Sequence, residues 1–359
     1  MRRIPFIPLD LRSDVVALPS PEMWEAMRRW EFHGSLKGDD DTIGSLEAEV
    51  ANILGKEAAM FVPTCTVANL LALMTLGRPG ASVWLGETSH IATSEDNGFA
   101  TVAGLTPRFL DDRYGVLNGE NVEFAMANFC GLEHDGSGLL CIENSHTHSG
   151  GAVTTHEQTR AIAALAERRG VAIHLDGARL FNASAALGIS PRWLAEPAVT
   201  VAVSLNKGLG APYGALLSGS NATIQSARVV ARRIGLASIH KAGMFAAAAI
   251  VALRDLDRLA EQNRRAEQLA HRLADLRPLR VDLNAVQTNI VTVEIDGREL
   301  SAAQFVAKLA SHGIMALQRG PGKVRFVIHR AIGDAEIDRV VQGVEAVLAP
   351  NVLVLNGVA

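Results

Sequence analysis

The chain has 359 residues, of which 48% are hydrophobic and 20% are charged, and its formal net charge is −4. This length is typical of a large domain with a smaller one, and the composition excludes a disordered chain. The negative charge argues against nucleic-acid binding, and three cysteines are a sparse, odd-numbered set that favours a reducing compartment over a disulfide framework.

The apolar segments argue against a secreted or membrane-spanning protein. Prolines interrupt the N-terminal segment "MRRIPFIPLD", which therefore lacks the continuous apolar stretch of a secretory signal. The most apolar later segment, "GMFAAAAIVAL" at 243–253, is too short to cross a bilayer. We therefore expect a soluble cytoplasmic protein with neither a membrane nor a nucleic-acid partner.

Helical and strand-like segments alternate along the first two thirds of the chain. Ser20 before Pro21 predicts a helix start, and a second helical pattern ends at Gly55. Further helical patterns cover 66–77 and 157–170. Short apolar runs, typical of buried central strands, are "AAMFV" (58–62), "ASVWL" (81–85), "GLLCI" (138–142), "VAIHL" (171–175) and "VTVAVS" (199–204). This alternation predicts an α/β fold in which a mostly parallel sheet carries helices on both faces.

The pattern changes after about residue 245. A long helical pattern over 244–276 predicts one helix that leads away from the sheet. The remaining segments read as strand, helix, strand and helix, at 289–295, 302–313, 323–330 and 334–349. We therefore predict an N-terminal arm and large cofactor-binding domain over 1–245, followed by a smaller α+β domain over 246–359.

Polar residues follow each predicted central strand. Ligands bind beyond the carboxyl ends of the strands in an open parallel sheet, so these residues are candidates for a site. They are "PTCT" (63–66), His90, "ENSHTHSGG" (143–151), the pair Asp176 and Arg179, and Lys207. The five strand ends would bring an acid, a cation, hydroxyl groups and histidines to one edge of the sheet.

Each candidate has an ordinary alternative when it is taken alone. Asp176 could cap a helix, Lys207 could be a solvated lysine, and "TCT" could be a plain helix start. His146 and His148 form an H-x-H pair, but no companion ligands lie at metal-site spacing, so we expect no metal. The acidic run "GDDD" at 38–41 is typical of a solvated loop.

The glycines after Lys207 resemble a dinucleotide fingerprint only superficially. Gly208, Gly210 and Gly214 give G-x-G-x-x-x-G, which is one residue too long, and the expected acidic residue about 20 positions later is missing. Pyridoxal phosphate (PLP) explains the set better. This cofactor needs a lysine that binds it covalently, an acid at its ring nitrogen and donors at a helix N-terminus for its phosphate. Small residues around Lys207 would let the backbone turn sharply beside a buried cofactor.

The sequence blocks resemble those of the PLP-dependent threonine aldolases, of the aspartate-aminotransferase fold (fold type I). The similarity covers essentially the whole chain, from "DLRSD" to "KVRFVIHR", and its most specific pair is "HLDGARLFNA" with "SLNKGLGAP". The other matching blocks, in the same order, are "LGKEAAMFVPT" and "ENSHTHSGG".

The resemblance implies a role for each matching residue. Lys207 would carry the cofactor, Asp176 would pair with its ring nitrogen, and His90 would stack on the ring and serve as an acid or base. The substrate carboxylate would be bound by Ser13, Arg179 and Arg325. The cofactor contacts would further include Thr64, Cys65, Thr66, Arg179 and Ser204. The resemblance also implies homodimers or homotetramers with shared active sites.

Four departures from the family blocks bear on the substrate and the phosphate. Lys37 stands where a tyrosine is usual, and Thr147 where an amide is usual. Cys65 replaces a glycine in the phosphate block, and His240 replaces an arginine. The resemblance implies cleavage of a threonine-like β-hydroxy-α-amino acid to glycine and an aldehyde. The departures at Lys37 and Thr147 favour a substrate larger than threonine. The alternatives are a PLP-dependent β-eliminating lyase and a non-catalytic binding protein of the same fold.

Overall fold

The computed structural model describes residues 8–32, 34, 40–129, 138–236, 239–296 and 300–349. Its strands are β1 (Leu9–Asp10), β2 (Ala58–Val62), β3 (Ser82–Gly86), β4 (Thr106–Leu110), β5 (Leu139–Glu143), β6 (Ala172–Gly177), β7 (Thr200–Ser204), β8 (Ala215–Gly219), β9 (Leu279–Val281), β10 (Ile290–Ile295), β11 (Ile314–Met315), β12 (Leu317–Gln318) and β13 (Lys323–Val327).

The helices of the same ranges cover both faces of the sheet and most of the C-terminal third. They are α1 (Pro21–Arg29), α2 (Asp41–Leu54), α3 (Cys65–Leu76), α4 (His90–Thr93), α5 (Gly98–Thr101), α6 (Gly119–Phe129), α7 (His156–Glu167), α8 (Leu180–Leu187), α9 (Pro191–Ala195), α10 (Asn221–Arg233), α11 (Gly243–Leu253), α12 (Arg258–Ala274), α13 (Ala302–Ser311) and α14 (Asp334–Leu348). Within the described ranges, no helix is long and apolar enough to cross a membrane.

A seven-stranded sheet forms the centre of the molecule, in the order β2-β8-β7-β6-β5-β3-β4. All pairs are parallel except those made by β8, which is antiparallel to both of its neighbours. Every residue of β3, β5 and β7 is buried, as expected for strands covered on both faces. The predicted mostly parallel α/β sheet is therefore confirmed.

A second, smaller core lies in the C-terminal third. Its main sheet is antiparallel, in the order β12-β13-β10-β9, and it packs on α12, α13 and α14. The N-terminal strand β1 joins this part of the fold, because Leu9 pairs in parallel with Ile314 of β11. Leu11 is fully buried in the same core.

Local signals at helix ends agree with the sequence. The Ser20 hydroxyl accepts a hydrogen bond from the Met23 N–H at 3.2 Å, at the start of α1. The Thr64 hydroxyl does the same for the Val67 N–H at the start of α3, also at 3.2 Å. Gly55 ends α2 with a φ of 65°, a left-handed conformation that glycine adopts without strain.

The prediction of one helix over 244–276 is wrong. The structure has two helices, α11 and α12, separated by a turn at 254–257. At the break the N–H groups of Arg254 and Asp255 bond to carbonyls three residues earlier, and Asp255 and Asp257 are weak helix formers. The change of core comes later, within α12, between Leu259 in the core of the large sheet and Leu269 in the smaller core. The division between domains at 245 and 246 stays a prediction.

Several strands were absent from the sequence prediction. In the large sheet these are β4 and β8, and in the C-terminal third β9, β11 and β12. β4 is an edge strand that contains Pro107 and is partly exposed, so it has no continuous apolar run. β8 follows the glycine-rich segment and is only five residues long. Lys37 and Cys130 lie outside the described residues.

Candidate active site

The carboxyl ends of β2, β3, β5, β6 and β7 meet at one edge of the large sheet. The Glu143 carboxylate, at the end of β5, accepts the backbone N–H of His90 at 2.7 Å. The Cys65 thiol, at the start of α3 after β2, lies 3.8 Å from the Asp176 carboxylate of β6. The sheet topology thus brings these strand ends to one edge, where direct contacts join the ends of β3 and β5 and the segments after β2 and β6. The roles of the residues at this edge stay predictions.

Asp176 is a buried carboxylate with several donors around it. It accepts hydrogen bonds from the Asn69 amide at 2.9 Å and from the Ala178 N–H at 3.1 Å. Burial raises its pKa, but the positive charges of His90 and Lys207 outweigh burial, so the pKa lies below its usual value. Asp176 is therefore ionised at neutral pH. It is not a helix cap, since α8 begins only at Leu180.

His90 is held by a carboxylate that the sequence analysis missed. The Nδ1 atom of His90 lies 2.9 Å from Oε1 of Glu95, and that same oxygen accepts a hydrogen bond from the Asn69 amide at 2.9 Å. Burial lowers the pKa of His90, but the Glu95 hydrogen bond and the Asp176 charge raise it above its usual value. The Nε2 atom of His90 makes no hydrogen bond within the described part of the chain.

A ring nitrogen of His90 and one carboxylate oxygen each of Glu95 and Asp176 all lie within 4.8 Å of one another. The sequence analysis expected no metal, and hydrogen bonds to Asn69 account for the proximity of the two carboxylates. The arrangement of one imidazole between two acids is suited to moving a proton.

Lys207 lies in a tightly packed turn after β7. A side chain at Gly208 would collide with the Asn182 amide, and one at Gly214 would collide with the Phe61 ring. Gly214 also has a φ of 100°, which only glycine adopts readily. The Lys207 ammonium makes no hydrogen bond to a described residue, although its charge acts on Asp176, His90 and Asp14. Ser204, at the end of β7, donates a hydrogen bond to the side chain of Asn206 at 2.8 Å.

The first turn of α3 carries the predicted phosphate residues. Thr64 and Thr66 are exposed there, whereas Cys65 is buried with its thiol toward Asp176. Burial and the Asp176 charge raise the pKa of Cys65, so it remains a neutral thiol. Any phosphate contact of Cys65 would therefore come from its backbone N–H, and the role of this turn stays a prediction.

Arg179 is bound by an acid of the N-terminal segment. Nε and one terminal nitrogen donate to the two oxygens of Asp14, each at 2.8 Å, and Nη1 donates to the Thr147 hydroxyl at 3.1 Å. Burial raises the pKa of Asp14, but Arg179 lowers it well below its usual range. A guanidinium has five N–H bonds, so two of those in Arg179 are still available to a ligand. Ser13 precedes Asp14 and caps the short 3₁₀ helix at 14–16.

Arg325 is buried but only partly hydrogen-bonded. It is 5% exposed, and one of its terminal nitrogens donates to the backbone oxygen of Arg12 at 2.9 Å. Nε and Nη1 have no hydrogen-bond partner among the described residues. Burial, with the charges of Arg179 and Arg319, lowers the pKa of Arg325 to about 9. Such a guanidinium is suited to receiving an anion.

A second buried histidine lies beside the site and was considered in the sequence only as a metal ligand. His146 Nε2 is 3.1 Å from Asp112, and Nδ1 accepts a hydrogen bond from the Ser149 N–H at 3.2 Å. Burial lowers the pKa of His146, but Asp112 and Glu143 raise it above its usual value. Glu143 also accepts the Thr147 N–H at 2.8 Å, so it fixes the loop after β5.

The structure places most of the predicted residues together but not all of them. His240 is exposed, in the turn before α11, and Lys37 is not described. The residues that the sequence analysis did not single out are Asp14, Asn69, Glu95 and His174. Two of them left a signal: Asp14 directly follows Ser13, and Asn69 interrupts the apolar run of α3.

Comparison with known proteins agrees with this site. The profile of the Beta-eliminating lyase family matches residues 10–296. The chain belongs to this family. It is 37% identical to low-specificity L-threonine aldolase 1 of Arabidopsis thaliana, over 92% of this chain and 93% of that protein. It is 32% identical to the low specificity L-threonine aldolase of Escherichia coli strain K12, over 82% and 86% of the two chains.

A solved structure shows the same fold. The threonine aldolase of Leishmania major superposes with a TM-score of 0.81 at 21% identity, over 95% of this chain and all of that one (100%). The predicted resemblance to the threonine aldolases and the fold type I architecture are therefore confirmed. The chain is a PLP-dependent lyase.

The donors at the sheet edge fit this cofactor. Lys207 has an ammonium without a hydrogen bond in the described structure, at a turn where glycines leave room beside it. Asp176 is ionised and buried, as an acid opposite a cationic ring nitrogen must be. The Thr64 to Thr66 turn presents hydroxyls and the N-terminus of a twelve-residue helix, which attracts a phosphate.

Proposed function

We propose that this enzyme cleaves a threonine-like β-hydroxy-α-amino acid to glycine and an aldehyde. The observation that carries the proposal is His90, whose Nδ1 is bound to Glu95 while Nε2 is left without a hydrogen bond in the described structure. A neutral imidazole in that state can accept a proton from a hydroxyl group. The relatives named as L-threonine aldolases support the same reaction.

Four positions would hold the cofactor. Lys207 would bind it covalently, Asp176 would pair with its ring nitrogen, and the N–H groups and hydroxyls at Thr64 and Thr66 would bind its phosphate. His90 lies near enough to Asp176 to pack on the ring. When bound, PLP supplies a conjugated cationic ring that accepts the electrons of the bond broken at the α-carbon.

The substrate carboxylate would bind between the N-terminal segment and the small core. Arg325 offers two nitrogens without partners, and Arg179 offers its two remaining N–H bonds beside them. Ser13 lies at the same place, directly before the Asp14 carboxylate that fixes Arg179. Asp14 already occupies Nε and one terminal nitrogen of Arg179, so the substrate carboxylate cannot bind there. We therefore expect the substrate carboxylate to bind mainly to Arg325.

The proton of the β-hydroxyl would be taken by His90 at Nε2. The Nδ1–H of the resulting imidazolium would be bound by Glu95, which stabilises the positive charge as it forms. The arrangement also excludes the opposite tautomer, because a proton on Nε2 alone would leave Nδ1 and the Glu95 oxygen facing each other as two acceptors.

The test of this proposal is the identity of the products. A panel of β-hydroxy amino acids should yield glycine and an aldehyde, and we expect a substrate larger than threonine to react faster than threonine. The short Thr147 side chain, where an amide is usual, supports the preference for size.

A β-eliminating lyase is the second candidate, because the matching family carries that name. Elimination would give a 2-keto acid and ammonia. If these are the main products and no β-hydroxy substrate yields glycine, the aldolase proposal is wrong.

We further propose a homodimer or homotetramer in the cytoplasm. Exposed apolar side chains of the N-terminal part support a self-association surface, since Leu18, Trp24 and Phe32 are 76%, 52% and 47% exposed. Light scattering on a size-exclusion column measures the mass of the assembly. A monomeric mass at micromolar concentration would contradict this proposal.

A further inference from the structure

A continuous chain of buried polar side chains runs beneath the site. It begins at His90, passes through Glu95 and Asn69, and there divides toward Asp176 and His174. Each link is 2.9–3.0 Å long. Asn69 is the central member, fully buried in α3, and its amide contacts three other members.

The orientation of the Asn69 amide is determined by its surroundings. Its nitrogen faces the carboxylates of Glu95 and Asp176, so its oxygen must face His174. His174 must then carry its proton on Nε2, and its Nδ1 accepts the Thr200 hydroxyl at 2.9 Å. Burial lowers the pKa of His174 to about 4, so this ring is neutral at physiological pH.

The two carboxylates beside Asn69 disturb each other. Burial and the Asp176 charge raise the pKa of Glu95, while His90 and Asn69 act against them. Two buried carboxylates this close share one proton unless donors stabilise both charges. The two N–H bonds of the Asn69 amide provide one donor for each carboxylate.

We propose that Asn69 is the positioning residue that keeps Glu95 and Asp176 both ionised, so that one acid holds His90 while the other remains charged for the cofactor ring. His174 supports this role, because its Nε2–H donates to the Asn69 oxygen and so prevents a 180° rotation of the Asn69 amide. The inference rests on the proposed function only for the use of His90 as the proton acceptor. The coupling between the two acids belongs to the chain itself.

The first experiment replaces Asn69 by leucine, which has a similar volume and no donor. Losing the hydrogen bond from Asn69 is expected to raise the pKa of Glu95 further. Glu95 is then protonated more readily, which weakens the negative partner that raises the pKa of His90. We therefore expect the His90 pKa, measured by NMR on the full-length enzyme with PLP bound, to fall by about one unit.

Two further readouts separate positioning from a loss of structure. In Asn69→Leu, PLP should dissociate at least about tenfold more readily, because Asp176 loses a donor that keeps it charged. With saturating PLP, kcat should fall while KM changes less than threefold, because Arg179 and Arg325 make no hydrogen bond to Asn69 or to its partners in the described structure.

His174→Leu gives the same test with Asn69 in place. It removes the donor that fixes the amide, and the His90 pKa should move in the same direction by a smaller amount. Thr75→Val, on the same helix, is the matched control: the Thr75 hydroxyl is buried without a hydrogen bond among the described residues, so none of these readouts should change.

An unchanged His90 pKa and unchanged PLP affinity in folded Asn69→Leu and His174→Leu would overturn the inference, since both residues would then only fill space. That result is independent of the product assay. An enzyme that forms 2-keto acid and ammonia, yet shows the shift in His90, would refute the proposed function and retain the coupling.

Discussion

Replacing Arg325 by methionine should make the protein more stable and the enzyme much less able to bind its substrate. The Arg325 guanidinium is buried, and two of its nitrogens lack a partner in the described structure. Lowering its pKa from the ordinary arginine value to about 9 corresponds to a free-energy cost on the order of 5 kcal/mol for keeping the charge buried at neutral pH.

Methionine keeps the aliphatic packing and removes that cost, but it leaves the Arg12 carbonyl without its donor. We therefore expect a net gain of about 1–3 kcal/mol in the free energy of unfolding. Because the folded-state pKa lies below the unfolded one, the cost is complete below pH 9 and decreases as the pH rises above it. The gain from Arg325→Met should follow the same pH dependence.

Substrate binding should change in the opposite direction. Two charge-assisted hydrogen bonds to the carboxylate, worth about 1.5–3 kcal/mol each, predict a rise in KM of at least about 100-fold. Arg325→Lys retains a charge without the planar pair of donors, so its KM should rise by about tenfold or more and its stability should not increase.

The measurements are apparent melting temperature at a fixed scan rate and steady-state kinetics by aldehyde formation with saturating PLP. Wild-type KM values in both variants would show that the carboxylate binds elsewhere. A lower melting temperature for Arg325→Met would show that Nε and Nη1 of Arg325 form hydrogen bonds in solution that stabilise the folded protein.

Three other substitutions test the rest of the site. Lys207→Ala should lose the visible absorbance of covalently bound PLP, and an unchanged spectrum would reassign the cofactor lysine. Asp176→Asn should bind PLP more weakly, and with saturating PLP it should still lose at least about 100-fold in kcat, because a neutral amide cannot hold the ring nitrogen protonated; normal turnover would contradict that role. The wild-type kcat should fall as the pH drops through the raised pKa of His90, since only the neutral ring accepts a proton. In Glu95→Gln, the fall in kcat should occur at lower pH than in the wild type, and the maximal kcat should be lower. A pH profile identical to wild type would mean that Glu95 does not act on His90.

The sequence was sufficient for the features that depend on local pattern. Buried parallel strands are short apolar runs, and the residue after each run faces the ligand edge, so Asp176, Lys207 and His90 were found before the fold was known. The strand β4 was missed because it is partly exposed and contains Pro107. The strand β8 was missed because it directly follows the glycine-rich turn after Lys207.

The residues that support the site could not be found in this way. Asn69 and His174 bond to each other across 105 positions of the chain, and Asp14 bonds to Arg179 across 165. A single asparagine in an apolar helix is compatible with many environments, and only the tertiary contacts distinguish them. The break between α11 and α12 is of the same kind, because no glycine or proline marks it in the sequence.

The pairing of the two chain ends has a consequence for how the enzyme is made on the ribosome. Arg325 and the Arg12 carbonyl are hydrogen-bonded although they are 313 positions apart, and Leu9 pairs with Ile314. The large sheet uses residues only up to Gly219, so it can form while the last third of the chain is still being synthesised. During that time β1 has no partner strand, because β11 has not yet been synthesised. The proposed site for the substrate carboxylate is completed only when Arg325 has been added. Long-range pairing of this sort slows folding. A nascent chain stalled before residue 314 would therefore contain Lys207, Asp176 and Arg179, but it would lack Arg325, the second arginine proposed to bind the substrate carboxylate.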